Sequence, residues 1–182
     1  MLPDELSTER LKLRLYRFSD VPEVFAYLQE PDMGRFLEGS GSPPTRTEVE
    51  EIIARHILAD RTQRDVWAIT IDGTPIGGIS INFAKEHRIA EIGYSISKPH
   101  WGRGFAGHAV STVIDAAFET CVALQRIQAN IHPKNTASIR VVEKLGMELE
   151  GTLRAYSYVR GEISDEFVYA ITRSDWLAAR AR

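Results

Sequence analysis

The segment PHWGRGFAGHA, residues 99–109, narrows the possible folds more than any other part of this chain of 182 residues. Its glycines at 102, 104 and 107 fall where the apolar pattern changes from strand-like alternation to helical spacing. Without side chains, Gly102 and Gly104 let main-chain N–H groups approach an anion closely. A helix start adds a partial positive charge worth about 0.3–1 kcal/mol per ligand charge. The arrangement suits a pyrophosphate, with Arg103 placed either to add a charge-assisted contact or to stand solvated. No Lys-Ser/Thr pair follows the last glycine, which excludes a P-loop. The dinucleotide fingerprint requires a parallel strand–helix–strand unit after the first strand, whereas three antiparallel strand candidates precede the glycines here.

Those candidates come from the period of two. RLKLRLY alternates Leu11, Leu13 and Leu15 with Lys12 and Arg14, as a half-buried strand does. Ser19 or Asp20 is placed to cap a helix through Val24, Phe25 and Leu28 that Pro31 ends. GSGSPPT at 39–45 is a loop by composition, and a helix from about Thr47 to Arg61 follows with Val49, Ile52, Ile53 and Ile57 inward. VWAITID and PIGGISINFA form a hairpin around Asp72-Gly73, and RIAEIGYSIS is the next strand of the meander. After Gly104 a helical stripe runs through Val110, Val113, Ile114, Ala117, Phe118 and Cys121. RIQANIH is a strand, and Asn135 is placed to cap a helix with Ile139, Val142 and Leu145 inward. A second hairpin around Arg160-Gly161 closes the chain. The expectation is one domain over 1–182, an α/β (α+β) fold with helices around a mixed sheet.

Composition excludes several classes. Twenty-two basic against 25 acidic residues give a net charge of −3, which is unlike a nucleic-acid binder. No apolar run nears the roughly 20 residues that cross a bilayer, and the acidic start MLPDELSTER has no signal-type run, so no membrane role and a cytoplasmic location are expected. The single cysteine, Cys121, sits among apolar residues and reads as a buried thiol. Histidines at 56, 87, 100, 108 and 132 have no ligand spacing, so no metal is expected, and a serine hydrolase elbow is absent.

WGRGFA resembles the coenzyme A pyrophosphate loop of the GNAT acetyltransferase superfamily, a Gln or Arg followed by x-x-Gly-x-Gly/Ala. Gly104 and Ala106 hold the last two defined positions, and Trp101 stands where Gln or Arg is usual. That departure is similar to members of the RimJ/RimL-like branch, which acetylates ribosomal-protein N-termini. NTASIRVVEKLGMELEGTLR at 135–154 resembles the Asn-x-x-Ser helix and Gly-Phe strand entry of the same branch, with Met147 in place of Phe, and EIGYSIS at 91–97 resembles the preceding strand. The resemblance implies a mostly antiparallel sheet of about seven strands with helices on both faces. It also implies a V-shaped splay between two parallel strands, 88–97 and 126–132.

The resemblance further implies acetyl-coenzyme A as cosubstrate and a primary amine as acceptor. The pyrophosphate would lie on Trp101, Gly102, Arg103, Gly104, Phe105, Ala106 and Gly107, and the pantetheine arm would pair with the main chain of Ile96. An N–H near Ile96 could oppose charge on the thioester carbonyl oxygen. Ser138 would donate to the sulfur and Asn135 would bind the pantetheine, although each also suits a purely local role at a helix start.

Glu91, expected among Ile89, Ile92 and Ile96, is the first candidate to deprotonate the amine, or else an exposed glutamate of the outer face. Tyr156 is a rival site residue, as is Tyr158, and both also suit a core. At pH 7 roughly a tenth of an α-amine is unprotonated against roughly a thousandth or less of lysine, which favours a protein N-terminus. A small-molecule amine (a polyamine, an antibiotic or an amino acid), a non-catalytic coenzyme A-binding module and a structural domain are the alternatives. The acceptor cleft is expected between Phe36 to Thr47 and the hairpin from Tyr156 to Asp165, with GSGSPPT either closing over it or serving as an ordinary solvated connection. A monomer or a homodimer is compatible with the chain.

Overall fold

The computed structural model describes residues 1–36 and 42–181. Short strands β1 (Glu5–Ser7) and β2 (Lys12–Arg14) lead into α1 (Val21–Leu28) and α2 (Arg46–Ile57). The meander β3 (Arg64–Ile71), β4 (Thr74–Ala84) and β5 (Ile89–Ile96) follows, then α3 (Phe105–Thr120), β6 (Arg126–Ile131) and α4 (Thr136–Lys144). The hairpin β7 (Glu148–Val159) and β8 (Glu162–Thr172) and a last helix, α5 (Arg173–Arg180), complete the described chain.

Eight strands form one sheet in the order β1-β2-β3-β4-β5-β6-β8-β7, in which β5 and β6 are the parallel neighbours. Both expected two-residue hairpins hold. Asp72-Gly73 and Arg160-Gly161 take φ of 49°, 82° and 53°, 83°, the left-handed pair of a type I′ turn, which matches strand twist. The helical stripe of α3 (Val110, Val113, Ile114, Ala117, Phe118) is buried on one sheet face with Trp67, Ile69, Ile79 and Ile127. On the other face, Val21 and Val24 of α1 and Val49 and Ile53 of α2 pack on Val66 and Ala68. Helices thus lie on both faces, as expected.

Five local expectations change. The sheet has eight strands rather than about seven, because Glu5–Ser7 pairs with Lys12–Arg14; three residues are too few to show a period. Asp20 does not cap α1 through its side chain. Its carboxylate instead takes a bidentate contact from Arg14 at 2.7 and 2.8 Å and the N–H of Arg17 at 2.8 Å. The second helix starts one residue early, on a capping box of Thr45 and Glu48, and stops at Ile57. A terminal helix follows β8 on a second box, Thr172 with Asp175, and buries Trp176 against Phe118. Cys121 is half-buried.

Candidate active site

The β5–β6 pairing is short. Ile89, Ala90 and Glu91 pair with Arg126, Ile127 and Gln128, and beyond them the strands part, β5 staying with β4 and β6 with β8. Ser97 N–H donates to the Ile76 carbonyl at 2.7 Å on the β4 side. Main-chain groups alternate along a strand, so Tyr94 and Ile96 direct theirs into the opening. The Ile96 carbonyl accepts from the indole Nε1 of Trp101 at 2.5 Å. Trp101 therefore ties the turn after β5 to the strand edge, and the Ile96 N–H faces the gap.

The glycine turn follows directly. Gly102 and Gly104 have φ of 72° and 80°, a conformation that L side chains disfavour. Gly104 is the N-cap of α3 and offers no side-chain acceptor; the first intrahelical bond runs from His108 N–H to Gly104 O at 3.1 Å. The amides of Phe105, Ala106 and Gly107 are thus the helix's unmatched donors, on the turn that follows β5. Arg103 is exposed but not simply solvated, since its guanidinium lies 4.9 Å from the Phe105 ring centre. A groove of about 390 Å³ between α3 and α4, lined by Gly104, Gly107, His108, Ser111, Val141 and Lys144, continues from this turn.

Across the gap, Asn135 caps α4 by accepting the Ser138 N–H at 3.2 Å. The Ser138 carbonyl accepts the hydroxyl of Tyr94 at 3.3 Å, so Tyr94 reaches from β5 to the start of α4. Burial pushes the Tyr94 phenol up to about 12, against a smaller lowering by its bond to Ser138, and it stays protonated near neutrality. Sequence reasoning passed over Tyr94, although its place three residues after Glu91 on a strand entering the splay was a usable signal.

Glu91 occupies the last paired position before the strands part. Its carboxylate accepts from Gln128 Nε2 at 3.4 Å and Asn130 Nδ2 at 3.2 Å. The expected apolar surround is not there, because side chains alternate and Ile92 and Ile96 lie on the α3 face while Glu91 joins a polar floor. Asn130 Oδ1 is buried with no hydrogen-bond partner among the described residues.

Residues 32–36 lie over the far ends of both strands. Asp32 pairs with Lys98, just beyond β5, at 2.7 Å, and the Phe36 ring lies 5.1 Å from that of His132, just beyond β6. Gly39 to Gly41 of the expected closing loop lie outside the described residues; Pro44 O accepts from Gln29 Nε2 at 2.8 Å. Tyr156 is 55% exposed beside a bulge at Ala155, and no hydrogen bond joins it to Glu91 or Ser138 among the described residues.

Comparison with known proteins gives this geometry a family. Residues 10–148 match the acetyltransferase (GNAT) domain. The N-acetyltransferase p20 of Bacillus licheniformis is 30% identical over 95% of this chain and 98% of its own. RimJ of Mycobacterium smegmatis, solved with a coenzyme A disulfide, superposes with a TM-score of 0.85 at 26% identity over 99% of this chain and 96% of its own. RimL, a ribosomal L7/L12 α-N-protein acetyltransferase solved with coenzyme A, shares the fold with a TM-score of 0.82 at 19% identity over 96% and 98%. A parallel strand pair that opens beside a glycine-led helix, a sheet matching RimJ along nearly its whole length and a domain match over residues 10–148 lead to one conclusion: the chain belongs to the GNAT acetyltransferase family.

Proposed function

We propose that this protein transfers the acetyl group of acetyl-coenzyme A to a primary amine, with a protein N-terminal α-amine as the preferred acceptor. The observation that carries the reading is the opening of the β5–β6 pair just after Glu91, which leaves main-chain groups of Tyr94 and Ile96 facing a gap between the glycine turn and a carboxylate. Acetyl-coenzyme A supplies the acetyl thioester. Main-chain amides of residues 102–107 hold its pyrophosphate, and the edge of β5 orients its arm. The Ile96 N–H is aimed to oppose negative charge on the carbonyl oxygen. Glu91, held by Gln128 and Asn130, takes the proton of the incoming amine, directly or through one water.

On the opposite wall, Asn135 holds the Ser138 amide and the Tyr94 hydroxyl holds the Ser138 carbonyl, which supports Ser138 as the residue whose hydroxyl donates to the sulfur. Tyr156, on the acceptor side, is the alternative base. The larger free-amine fraction of an α-amine favours a protein N-terminus, and the activity carried in RimL's name agrees. The test is release of coenzyme A from acetyl-coenzyme A with peptides of free N-terminus, Nα-blocked lysine peptides, polyamines and amino acids. Turnover with the free-N-terminus peptides alone supports the reading. Turnover only with small amines moves the acceptor class, and binding without turnover leaves a coenzyme-binding module.

A further inference from the structure

Two guanidinium groups meet on one phenyl ring beside the glycine turn, and neither has a counter-charge among the described residues. Arg10 lies 4.7 Å and Arg103 4.9 Å from the centre of the Phe105 ring. Among the described residues no carboxylate pairs with either, and neither guanidinium donates a hydrogen bond. Both side chains belong to exposed residues, while Phe105, the first residue of α3, is buried and fixed. The ring face attracts each cation. It does not remove their mutual repulsion, so the pair is an unneutralised site of positive charge held at one place.

Arg10 is not a drifting surface residue. The Thr8 hydroxyl accepts the N–H groups of Arg10 at 3.1 Å and Leu11 at 2.9 Å, and Thr8 N–H donates to Leu11 O at 2.8 Å, closing the β1–β2 turn tightly. Its Nη1 lies 3.8 Å from the point a Cβ on Gly104 would occupy, so the guanidinium borders the turn whose amides α3 leaves unmatched. A planar guanidinium can stay stacked on a ring while its edge grips phosphate oxygens.

We propose that Arg10, reaching in from the β1–β2 turn, acts with Arg103 to bind a phosphate of coenzyme A, which makes the N-terminal turn part of the cosubstrate site. The inference rests on the acetyl-coenzyme A reading above. Calorimetric titration of wild type, Arg10→Gln, Arg10→Lys and Arg103→Gln with coenzyme A and with 3′-dephospho-coenzyme A tests it. Arg10→Gln should weaken coenzyme A roughly tenfold to a hundredfold with the melting temperature nearly unchanged, and Arg10→Lys should lose less. Equal weakening of both ligands assigns the grip to the pyrophosphate, and weakening of coenzyme A alone assigns it to the 3′-phosphate; either supports the proposal. Affinity within about twofold of wild type in a folded Arg10→Gln protein, or a fall in melting temperature with affinity kept, overturns it. Absence of coenzyme A binding by wild type would instead overturn the acetyl-transfer reading beneath it.

Discussion

Replacing Gly104 by Asp separates the fold from the cosubstrate site. Gly104 has φ of 80°, and a left-handed L residue costs about 1–2 kcal/mol, less for Asp than for most. An added Cβ meets Arg10 Nη1 at 3.8 Å and His108 Cδ2 at 3.9 Å, which is ordinary contact, so no packing penalty adds to that strain. Asp is also a favoured N-cap, and its carboxylate can accept the first amides of α3, returning about 1 kcal/mol. In a chain of 182 residues the net change should move the melting temperature by no more than about 4 °C. The same carboxylate then occupies the donors meant for a pyrophosphate and repels it. At about 4 Å and an effective dielectric near 20, one pair of like charges costs about 4 kcal/mol, close to a thousandfold in affinity. Calorimetric titration with coenzyme A, beside thermal unfolding, should show affinity reduced by at least about a hundredfold in a folded protein. Gly104→Ala, with strain but no charge, should bind less weakly than Gly104→Asp while melting lower. A folded Gly104→Asp protein that binds coenzyme A within about threefold of wild type would refute the placement of the phosphate site.

Glu91→Gln should lower kcat at pH 7 by roughly a hundredfold or more while leaving the KM for acetyl-coenzyme A nearly unchanged, with partial recovery at higher pH as the acceptor deprotonates by itself; an unaltered pH–rate profile moves the base to Tyr156 or a water chain. Trp101→Phe removes the N–H donated to Ile96 O, a bond worth about 0.5–1.5 kcal/mol, and should raise the KM for acetyl-coenzyme A several-fold; steady-state kinetics with KM unchanged would show that the bond does not order the β5 edge. Burial, with smaller effects of Arg64 and Arg55, lowers the His56 pKa from 6.5 to about 4. The unfolded chain therefore binds the extra proton first, and stability present above pH 6.5 falls as pH drops toward 4, by about 3 kcal/mol from this group. Urea unfolding of His56→Gln should show a flatter pH dependence over that window, and an identical slope would exclude His56 as its source.

Glycine at 102, 104 and 107, strand alternation before them and helical spacing after them are local properties, so the turn, both I′ hairpins and the main stripe of α3 were readable from residues alone. The Asn135 cap was readable for the same reason, since its partner, Ser138 N–H, is three residues away. The strand Glu5–Ser7 and the role of Asp20 were not, because one is defined by a pairing partner and the other by the Arg14 guanidinium that captures it before it can cap a helix. The terminal helix was legible in the Thr172–Asp175 box, a signal hidden behind an apolar run that reads as strand up to Thr172.

The site divides along the same line. Its proposed anion-binding half is a short stretch of backbone whose geometry glycine dictates, and it is present in eleven consecutive residues. Its chemical half is assembled across the sheet. Glu91 meets Gln128 and Asn130 from 37 and 39 positions away, Tyr94 meets Ser138 from 44, and Arg10 reaches Phe105 from the turn between the first two strands. The alternation that sends Ile92 and Ile96 away from Glu91 is local, but the polar floor that Gln128 and Asn130 give the carboxylate depends on which strand lies beside β5. That neighbour is chosen by the buried faces of α3, β6 and β8 packing together, and no local pattern around Glu91 contains it.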